Sequence, residues 1–387
     1  MKAHIDLRSR RNFLLKLGYG ATLAAVASYA PSIFAETAAK FLIRQSTEML
    51  PLHFNENSLG MSVKAMNAAK QALIQFGNRY AVEHYNGFVS ELAAHHKVSE
   101  QQLILGNGST EILSAVVTYA ATQNAVVIEP TPTFGALKGY SENHGMKVIG
   151  VPVDDEFIID IAAMKAIALK QNTPVLINLC NPNNPTGNIV KHQALVNWIS
   201  NAPDNHIFLI DEAYYDYAVG IDDYQSMLSM IQAGNDKVVV SRTFSKIYGM
   251  AGMRMGYGLA TEKMAALIKP FAAGFNINVA GIAAASASLT DTEYYARSLA
   301  SNAHSKKILT AALDELSLDY VPSHTNFILH RLGKPLESYT SKMLENNIKV
   351  GRKMTESPYW NRISLGTPDQ TQQFVETLRA FRERDWV

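Results

Sequence analysis

The sequence predicts an α/β fold, in which a large domain built on a mostly parallel sheet is joined to a smaller α+β domain. From Tyr80 onward, short apolar runs alternate with helical patterns, which is typical of a parallel sheet covered by helices on both faces. The runs lack the apolar–polar alternation of a half-exposed antiparallel sheet, so both faces of the sheet should be buried. With 387 residues, 47% of them hydrophobic, the chain can fill two closely associated domains.

The predicted elements follow in order along the chain. Six apolar runs are the predicted strands of the large domain: 125–129, 148–151, 175–179, 207–211, 238–240 and 256–259. After Thr290 the pattern changes to a long polar-faced helix, a strand, a helix, two short strands and a last helix, over 291–316, 327–330, 336–346, 348–352, 362–366 and 369–384. We therefore assign 76–290 to the large domain and 291–387 to the small domain, which the segment 36–75 should complete.

Residues 1–35 are predicted to be an export signal outside the fold. Ser9-Arg10-Arg11-Asn12-Phe13-Leu14 resembles the twin-arginine signal S-R-R-x-F-L, and an uncharged apolar stretch from Leu17 to Ala30 follows it. The stretch is shorter than the roughly 20 apolar residues that span a bilayer, so no stable membrane anchor is expected. These features predict a periplasmic protein that is exported already folded, with cleavage after Ala35 or after Ala39.

Composition narrows the range of partners. A formal net charge of +1 gives no reason to expect nucleic acid. Cys180 is the only cysteine, so an intrachain disulfide is excluded, and its place in an apolar run predicts a packed side chain. We interpret His84, His95 and His96 as solvated surface residues, and Asp154-Asp155-Glu156 lacks the spacing of a calcium loop, so no metal is predicted.

Four motifs carry the functional prediction. They are Gly106-Asn107-Gly108-Ser109-Thr110-Glu111, Asn181-Pro182-Asn183-Asn184-Pro185-Thr186-Gly187, Asp211-Glu212-Ala213-Tyr214, and Ser241-Arg242-Thr243-Phe244-Ser245-Lys246 with Arg254 downstream. A lysine traps a carbonyl only when it is neutral, and hydroxyls with an arginine nearby suit an aldehyde that bears a phosphate. The set resembles the fold-type I pyridoxal-phosphate (PLP) aminotransferases, most closely their histidinol-phosphate aminotransferase branch. The resemblance runs from about Phe54 to Arg362 and implies a three-layer PLP-transferase large domain.

The resemblance implies a role for each catalytic candidate. Lys246 would hold PLP as a Schiff base and, once freed, would move a proton of the substrate. Asp211 ends a buried apolar run, where an unpaired carboxylate is costly, and a protonated pyridine nitrogen would give it a partner. Tyr214 and Asn184 would hydrogen-bond the phenolic oxygen of the cofactor. Phe134 resembles the aromatic residue that stacks on the cofactor ring, with packing in the core as the alternative.

Binding a phosphate takes several donors and a positive charge. The resemblance assigns the cofactor phosphate to a helix start at Gly108-Ser109-Thr110, with hydroxyls from Thr243 and Ser245 and the charge of Arg254. An ordinary helix N-cap is the alternative for this helix start. Tyr80 resembles a tyrosine that reaches the phosphate across a subunit interface, which implies a homodimer.

Three further residues are expected at the substrate. Arg362 resembles the arginine that binds the α-carboxylate in amino-acid aminotransferases, Arg352 resembles a second arginine of the branch, and Asn55 resembles part of a loop near the substrate. A guanidinium fits carboxylate and phosphate alike, so these residues leave the substrate open. We expect an aminotransferase that moves an amino group between an amino acid, or an amino-alcohol phosphate such as histidinol phosphate, and a 2-oxo acid.

Two rival functions stay open at this point. A PLP-dependent decarboxylase or lyase of the same fold would differ in the bond that its pocket aligns for cleavage. A non-catalytic protein that retains PLP for binding would not need the electron sink that Asp211 supports. Export also bears on the substrate, because histidinol phosphate is a biosynthetic intermediate of the cytoplasm, and an aromatic or other free amino acid therefore competes with it as the donor.

Overall fold

The computed structural model of the chain describes residues 49–387, so the predicted export signal over 1–35 lies outside the described residues. In chain order the strands are β1 (Leu50–Leu52), β2 (Leu103–Asn107), β3 (Val126–Thr131), β4 (Val148–Pro152), β5 (Val175–Cys180), β6 (His206–Asp211), β7 (Val238–Thr243), β8 (Met255–Leu259), β9 (Phe327–Arg331), β10 (Ile348–Val350) and β11 (Trp360–Ser364). The helices are α1 (Val63–Phe76), α2 (Val82–His96), α3 (Ser109–Thr122), α4 (Ala136–Asn143), α5 (Ile161–Ala168), α6 (His192–Ser200), α7 (Tyr215–Ala218), α8 (Leu228–Gln232), α9 (Glu262–Ile268), α10 (Val279–Leu289), α11 (Thr292–Glu315), α12 (Leu336–Glu345) and α13 (Pro368–Glu383).

The largest sheet within residues 49–387 has seven strands, in the order β2-β8-β7-β6-β5-β3-β4. The neighbours from β4 through β7 pair in parallel, whereas β8 is antiparallel to both β7 and β2. The predicted mostly parallel sheet is confirmed. Sequence reasoning missed β2 and the direction of β8, because an apolar run in a fully buried sheet reads the same in either direction.

Helices cover both faces of this sheet, as the uninterrupted apolar runs predict. Successive residues of a strand point to opposite faces. Leu176 and Leu209 accordingly belong to one buried core, together with residues of α3, α4 and α9. Ile177 and Ile210 belong to another, together with residues of α1, α2, α5, α6 and α10. The result is a three-layer α/β arrangement whose strands, apart from the edge strand β4, are buried on both sides.

The chain after α10 builds two small sheets and three helices. Strand β11 pairs antiparallel with β9, which places Arg362 opposite Leu329, and β1 and β10 form a second two-stranded sheet. Helices α11 and α13 pack on each other beside β9. Among the helices within residues 49–387, none is long and apolar enough to cross a membrane. The domain boundaries at 75 and 290 stay predictions.

Candidate active site

A cavity of about 980 Å³ lies where β5, β6 and β7 end. Ligand sites of open α/β sheets lie at the carboxyl ends of the strands, and the last residues of these three strands, Cys180, Asp211 and Thr243, all line the cavity. Most of the predicted site residues meet there: Asn55, Ser109, Thr110, Phe134, Asn184, Asp211, Tyr214, Thr243, Ser245, Lys246, Arg254, Arg352 and Arg362. Of the remaining two, Gly108 is buried directly before Ser109, and Tyr80 does not line the cavity.

Lys246 carries an amine that can lose its proton under mild conditions. It follows β7 by three residues, and its Nζ donates to the main-chain oxygens of Phe54 at 3.3 Å and Asn55 at 3.1 Å. Burial, and then the positive charge of Arg362, lower the pKa of the Lys246 amine to about 8, against the pull of nearby carboxylates. Such an amine is a competent nucleophile toward an aldehyde.

Asp211 is a buried carboxyl group that lacks a cation. Its side chain is 3% exposed, and its Oδ1 accepts a hydrogen bond from Ser241 Oγ at 2.8 Å. Burial raises the pKa of Asp211 to about 6, although the bond from Ser241, the Ala213 N–H and the charge of Lys246 oppose the rise. Within residues 49–387 no lysine or arginine forms a salt bridge with it. A cationic N–H at this place would supply the missing partner.

A hydrogen-bonded chain of side chains surrounds the Tyr214 hydroxyl. Asn55 Nδ2 donates to that hydroxyl at 3.0 Å and Asn184 Nδ2 donates to it at 3.4 Å. Asn184 Oδ1 in turn accepts from Arg362 Nη1 at 2.6 Å, and Arg362 Nη2 donates to the His53 carbonyl at 2.8 Å. Burial raises the pKa of Tyr214, so its hydroxyl keeps its proton. This series of hydrogen bonds connects Tyr214 and Asn184, the predicted cofactor contacts, to Arg362, a predicted substrate contact.

Helix α3 begins at the cavity, which its first two residues, Ser109 and Thr110, line. Gly108, the residue before the helix, has φ of 75°, a conformation that favours glycine, and its N–H donates to the Arg254 carbonyl at 2.9 Å. Arg254 Nη2 lies 3.3 Å from Thr110 Oγ1, so the arginine contacts the helix start twice. Thr243 Oγ1 donates to Ser245 Oγ at 2.9 Å on the adjoining wall. Helix N–H groups, hydroxyls and a guanidinium together form an anion site.

The far wall of the cavity comes from the chain after α10. Arg352 and Lys349 line it and are exposed, while Arg362 is 6% exposed and its Nε is buried without a hydrogen-bond partner. Sequence reasoning missed Lys349 and His53, which also lines the cavity. Lys349 lies in β10, whose neighbours Ile348 and Val350 are buried, and this alternation was the available signal.

Phe134 and Tyr80 lie in different surroundings. Phe134 lines the cavity and also packs against buried apolar residues, so both alternatives for it have a structural counterpart. Tyr80 is 80% exposed, and its ring lies 5.7 Å from the ring of Phe275, which is exposed to the same extent. Within one chain, therefore, Tyr80 takes no part in the cavity.

The charge and shape of the cavity fit PLP. The cofactor has a phosphate for the start of α3 and Arg254, an aldehyde for the Lys246 amine, and a basic ring nitrogen for the unpaired carboxyl of Asp211. A β-carbon on Gly108 would overlap Arg254 Nη2, so the anion site depends on the glycine. The fold and this cavity define a PLP-dependent transferase.

Comparison with known proteins identifies the family. Residues 47–378 match the family aminotransferase class I and II, and the chain belongs to this family. A histidinol-phosphate aminotransferase 2 from Pseudomonas fluorescens is 35% identical over 364 residues, with 92% of this chain and 95% of that protein covered. A histidinol-phosphate aminotransferase from Moorella thermoacetica is 33% identical over 338 residues, with 86% and 85% covered. The predicted activity, PLP-dependent amino transfer, is thereby confirmed.

Solved structures agree with the fold. A crystal structure from Erwinia carotovora atroseptica is 38% identical and superposes with a TM-score of 0.85, covering 88% of this chain and 97% of that chain. Histidinol-phosphate aminotransferase from Sinorhizobium meliloti, solved in complex with PLP, is 25% identical with a TM-score of 0.80, covering 87% and 91%. The predicted α/β fold and the predicted cofactor are confirmed.

Proposed function

We propose that this aminotransferase takes its amino group from a donor that carries an anionic group and passes it to a 2-oxo acid. The observation that carries the proposal is the charge of the cavity wall. Five cationic side chains and two carboxylates line it: Lys246, Arg254, Lys349, Arg352 and Arg362, with Glu56 and Asp211. The aldehyde and the phosphate of PLP engage two of the cations, which leaves three for the substrate.

Histidinol phosphate and free amino acids both satisfy this charge requirement. The names of the relatives favour histidinol phosphate, whereas the predicted export favours a free amino acid. In either case Arg362 is the best-placed contact, because its guanidinium is buried, its Nε has no hydrogen-bond partner among residues 49–387, and burial lowers its pKa. An anion at Arg362 would relieve the desolvation of that guanidinium.

The chemistry divides among residues that already meet in the cavity. When bound, PLP supplies an electron sink for the bond that breaks at the substrate α-carbon. Lys246 Nζ would take and return the proton at that carbon, since its lowered pKa lets it act in both directions. Asp211 would hold a protonated pyridine nitrogen, and Tyr214 with Asn184 would hold the phenolic oxygen. The start of α3, Arg254, Thr243 and Ser245 would bind the phosphate.

A panel of donors on the purified protein tests the substrate proposal. We expect turnover with histidinol phosphate or with an amino acid to exceed turnover with histidinol, which lacks the anionic group, by about a hundredfold or more in kcat/KM. Arg362→Ala should lower kcat/KM for the preferred donor and leave histidinol unaffected. Equal turnover of histidinol and its phosphate, with no amino acid used faster, would refute the proposal.

The proposed active form is a homodimer. Tyr80 and Phe275 form an exposed aromatic pair, which suits a subunit interface better than open solvent. Helix α1 adds Val63, Met66 and Ile74, each exposed by 48% or more. In the dimer, Tyr80 would reach the phosphate in the partner's cavity.

We also propose that the protein reaches the periplasm through twin-arginine export. The support is the sequence alone: Arg10-Arg11 followed by an uncharged apolar stretch. A cofactor bound covalently in a folded site is most easily carried across the membrane inside a folded chain. The proposal therefore connects the location to the buried site.

A further inference from the structure

Ser241 lies beneath the active site and touches one functional group. It is 0% exposed and does not line the cavity. In the parallel pairing of β7 with β6 it stands opposite Asp211, and the Glu212 N–H donates to its carbonyl at 2.9 Å. Its hydroxyl is 2.8 Å from Asp211 Oδ1 and is the only side-chain donor to that carboxyl within residues 49–387.

We propose that Ser241 is a positioning residue, which fixes the Asp211 carboxylate and keeps it ionised for the pyridine nitrogen of PLP. The inference rests on the role of Asp211 under the proposed function. A hydroxyl that donates to a carboxylate stabilises the charged form. It also restricts rotation of the carboxyl, since one oxygen is held from the neighbouring strand while the residue lines the cavity.

The other groups around Asp211 do not replace this contact. Cys180, its neighbour in β5, donates to the Pro182 carbonyl at 3.3 Å. Glu212 is held by Arg242 at 2.9 Å and by Ser226, away from Asp211. Lys246 acts on the Asp211 carboxyl through its charge and without a hydrogen bond to it, and the Ala213 N–H is a main-chain donor. Since PLP engages the lysine covalently, Ser241 is left as the stabilising side chain when the cofactor is bound.

A binding measurement separates this role from general packing. Cofactor-free protein is titrated with PLP and with its deaza analogue, in which a C–H group replaces the ring nitrogen, and the ratio of the two dissociation constants is taken. Wild type should prefer PLP, Asp211→Asn should abolish the preference, and Ser241→Ala should reduce it about tenfold or more, as for loss of a hydrogen bond to a charged group. Ser226→Ala is the matched control, because Ser226 is a buried serine that bonds the adjacent carboxylate of Glu212.

Each outcome bears on one idea. If Asp211→Asn keeps the preference, the proposed role of Asp211 is wrong. If that variant loses it while Ser241→Ala keeps it, the Ser241 inference is overturned and the role of Asp211 stands. Equal losses in Ser241→Ala and Ser226→Ala would reveal general damage at the strand ends and would also overturn the inference. If Ser241→Ala does not fold, Ser241→Cys is used instead, because cysteine has a similar volume and a weaker hydrogen-bond donor. A preference for PLP between those of wild type and Asp211→Asn would support the role of Ser241. A preference equal to that of wild type would refute it.

Discussion

At the scale of single residues, burial lowers the pKa of Lys246 and raises the pKa of Asp211, which in both cases disfavours the charged form. Each group loses solvation in the cavity, so the amine becomes less basic, with a pKa of about 8, and the carboxyl less acidic, with a pKa of about 6. Without a cofactor, the pKa of each group therefore lies within reach of neutral pH, so each can gain or lose a proton there. An aldehyde and a basic nitrogen would make use of these two shifts, and groups with such shifts cluster at functional sites.

The shift of Lys246 predicts how cofactor capture depends on pH. Because the pKa is lowered to about 8, the amine loses its proton as pH rises through that value. The rate at which cofactor-free protein captures PLP should thus rise by about tenfold per pH unit below pH 8 and level off above it. Stopped-flow absorbance measures the rate, and borohydride reduction with peptide mapping should place the pyridoxyl group on Lys246.

A matched control exists for this prediction. Burial also lowers the pKa of Lys306 to about 8, but its Nζ donates to the Ser323 carbonyl at 2.6 Å and it does not line the cavity. Lys306→Arg should capture PLP at the wild-type rate, whereas Lys246→Arg should not capture it covalently. Labelling of Lys306, or a capture rate still rising steeply at pH 9.5, would contradict the assignment.

At the scale of elements, the site depends on how β2 passes into α3. The sequence motif Gly108-Ser109-Thr110 indicated a helix start that binds an anion, and the structure has α3 begin at Ser109. The contact of the Gly108 N–H with the Arg254 carbonyl could not be predicted, because it joins positions far apart in sequence across the antiparallel β2 and β8. The sequence motifs thus predicted that Gly108 and Arg254 belong to one site, whereas the antiparallel pairing of β2 with β8 determines the contact between them.

The hydrogen bonds that hold the site residue Asn55 in place could not be predicted from the sequence. Ser364 accepts from the Asn55 N–H at 2.8 Å, and Asn326 donates to the Asn55 carbonyl at 3.0 Å. Together they hold a loop residue whose φ is 56°. Serine and asparagine in such places have no spacing of their own to mark them, because their role arises from tertiary packing. Most of the apolar strands, by contrast, were predictable from the pattern of apolar residues, with β2 as an exception.

The helix start gives a prediction of its own. In Gly108→Ala the new β-carbon would displace the Arg254 guanidinium, which is the movable end of a side chain, and would strain a backbone at φ of 75°. We expect the protein to fold, with affinity for PLP reduced by about tenfold or more and affinity for pyridoxal, which lacks the phosphate, nearly unchanged. Titration of cofactor-free protein with both compounds measures this.

Gly139→Ala provides the control for this change. Gly139 lies within α4, and a β-carbon there would meet nothing within 4 Å. The substitution should leave both affinities at wild-type values and should not reduce stability, because alanine favours a helix more than glycine does. A loss of pyridoxal affinity in Gly108→Ala as large as the loss for PLP would show that the site had collapsed rather than lost its anion contact.

At the scale of the whole molecule, the exposed aromatic pair of Tyr80 and Phe275 contributes nothing to the cavity of its own chain. Tyr80→Ala should weaken retention of PLP without unfolding the chain, because the tyrosine would serve the partner's cavity while being exposed in its own. Phe275→Ala, from the same aromatic pair, should weaken association of the subunits more than retention of PLP within the dimer. Sedimentation and cofactor dissociation rates measure the two effects. A monomer that stays fully active at low concentration would rule out the shared site.

The last prediction concerns location and also involves the whole folded molecule. Replacing Arg10 and Arg11 with lysine keeps the positive charge but removes the twin-arginine pair, so precursor that is active and loaded with PLP should accumulate in the cytoplasm. Blocking the general secretory route should have little effect, since that route carries unfolded chains and the PLP cavity exists only in the folded protein. Fractionation with an activity assay on each fraction measures both. If export survives the double replacement, the signal is an ordinary secretory one and the cofactor is taken up outside the cytoplasm. If the protein is found only in the cytoplasm with Met1 intact, export is refuted and histidinol phosphate is favoured as the donor.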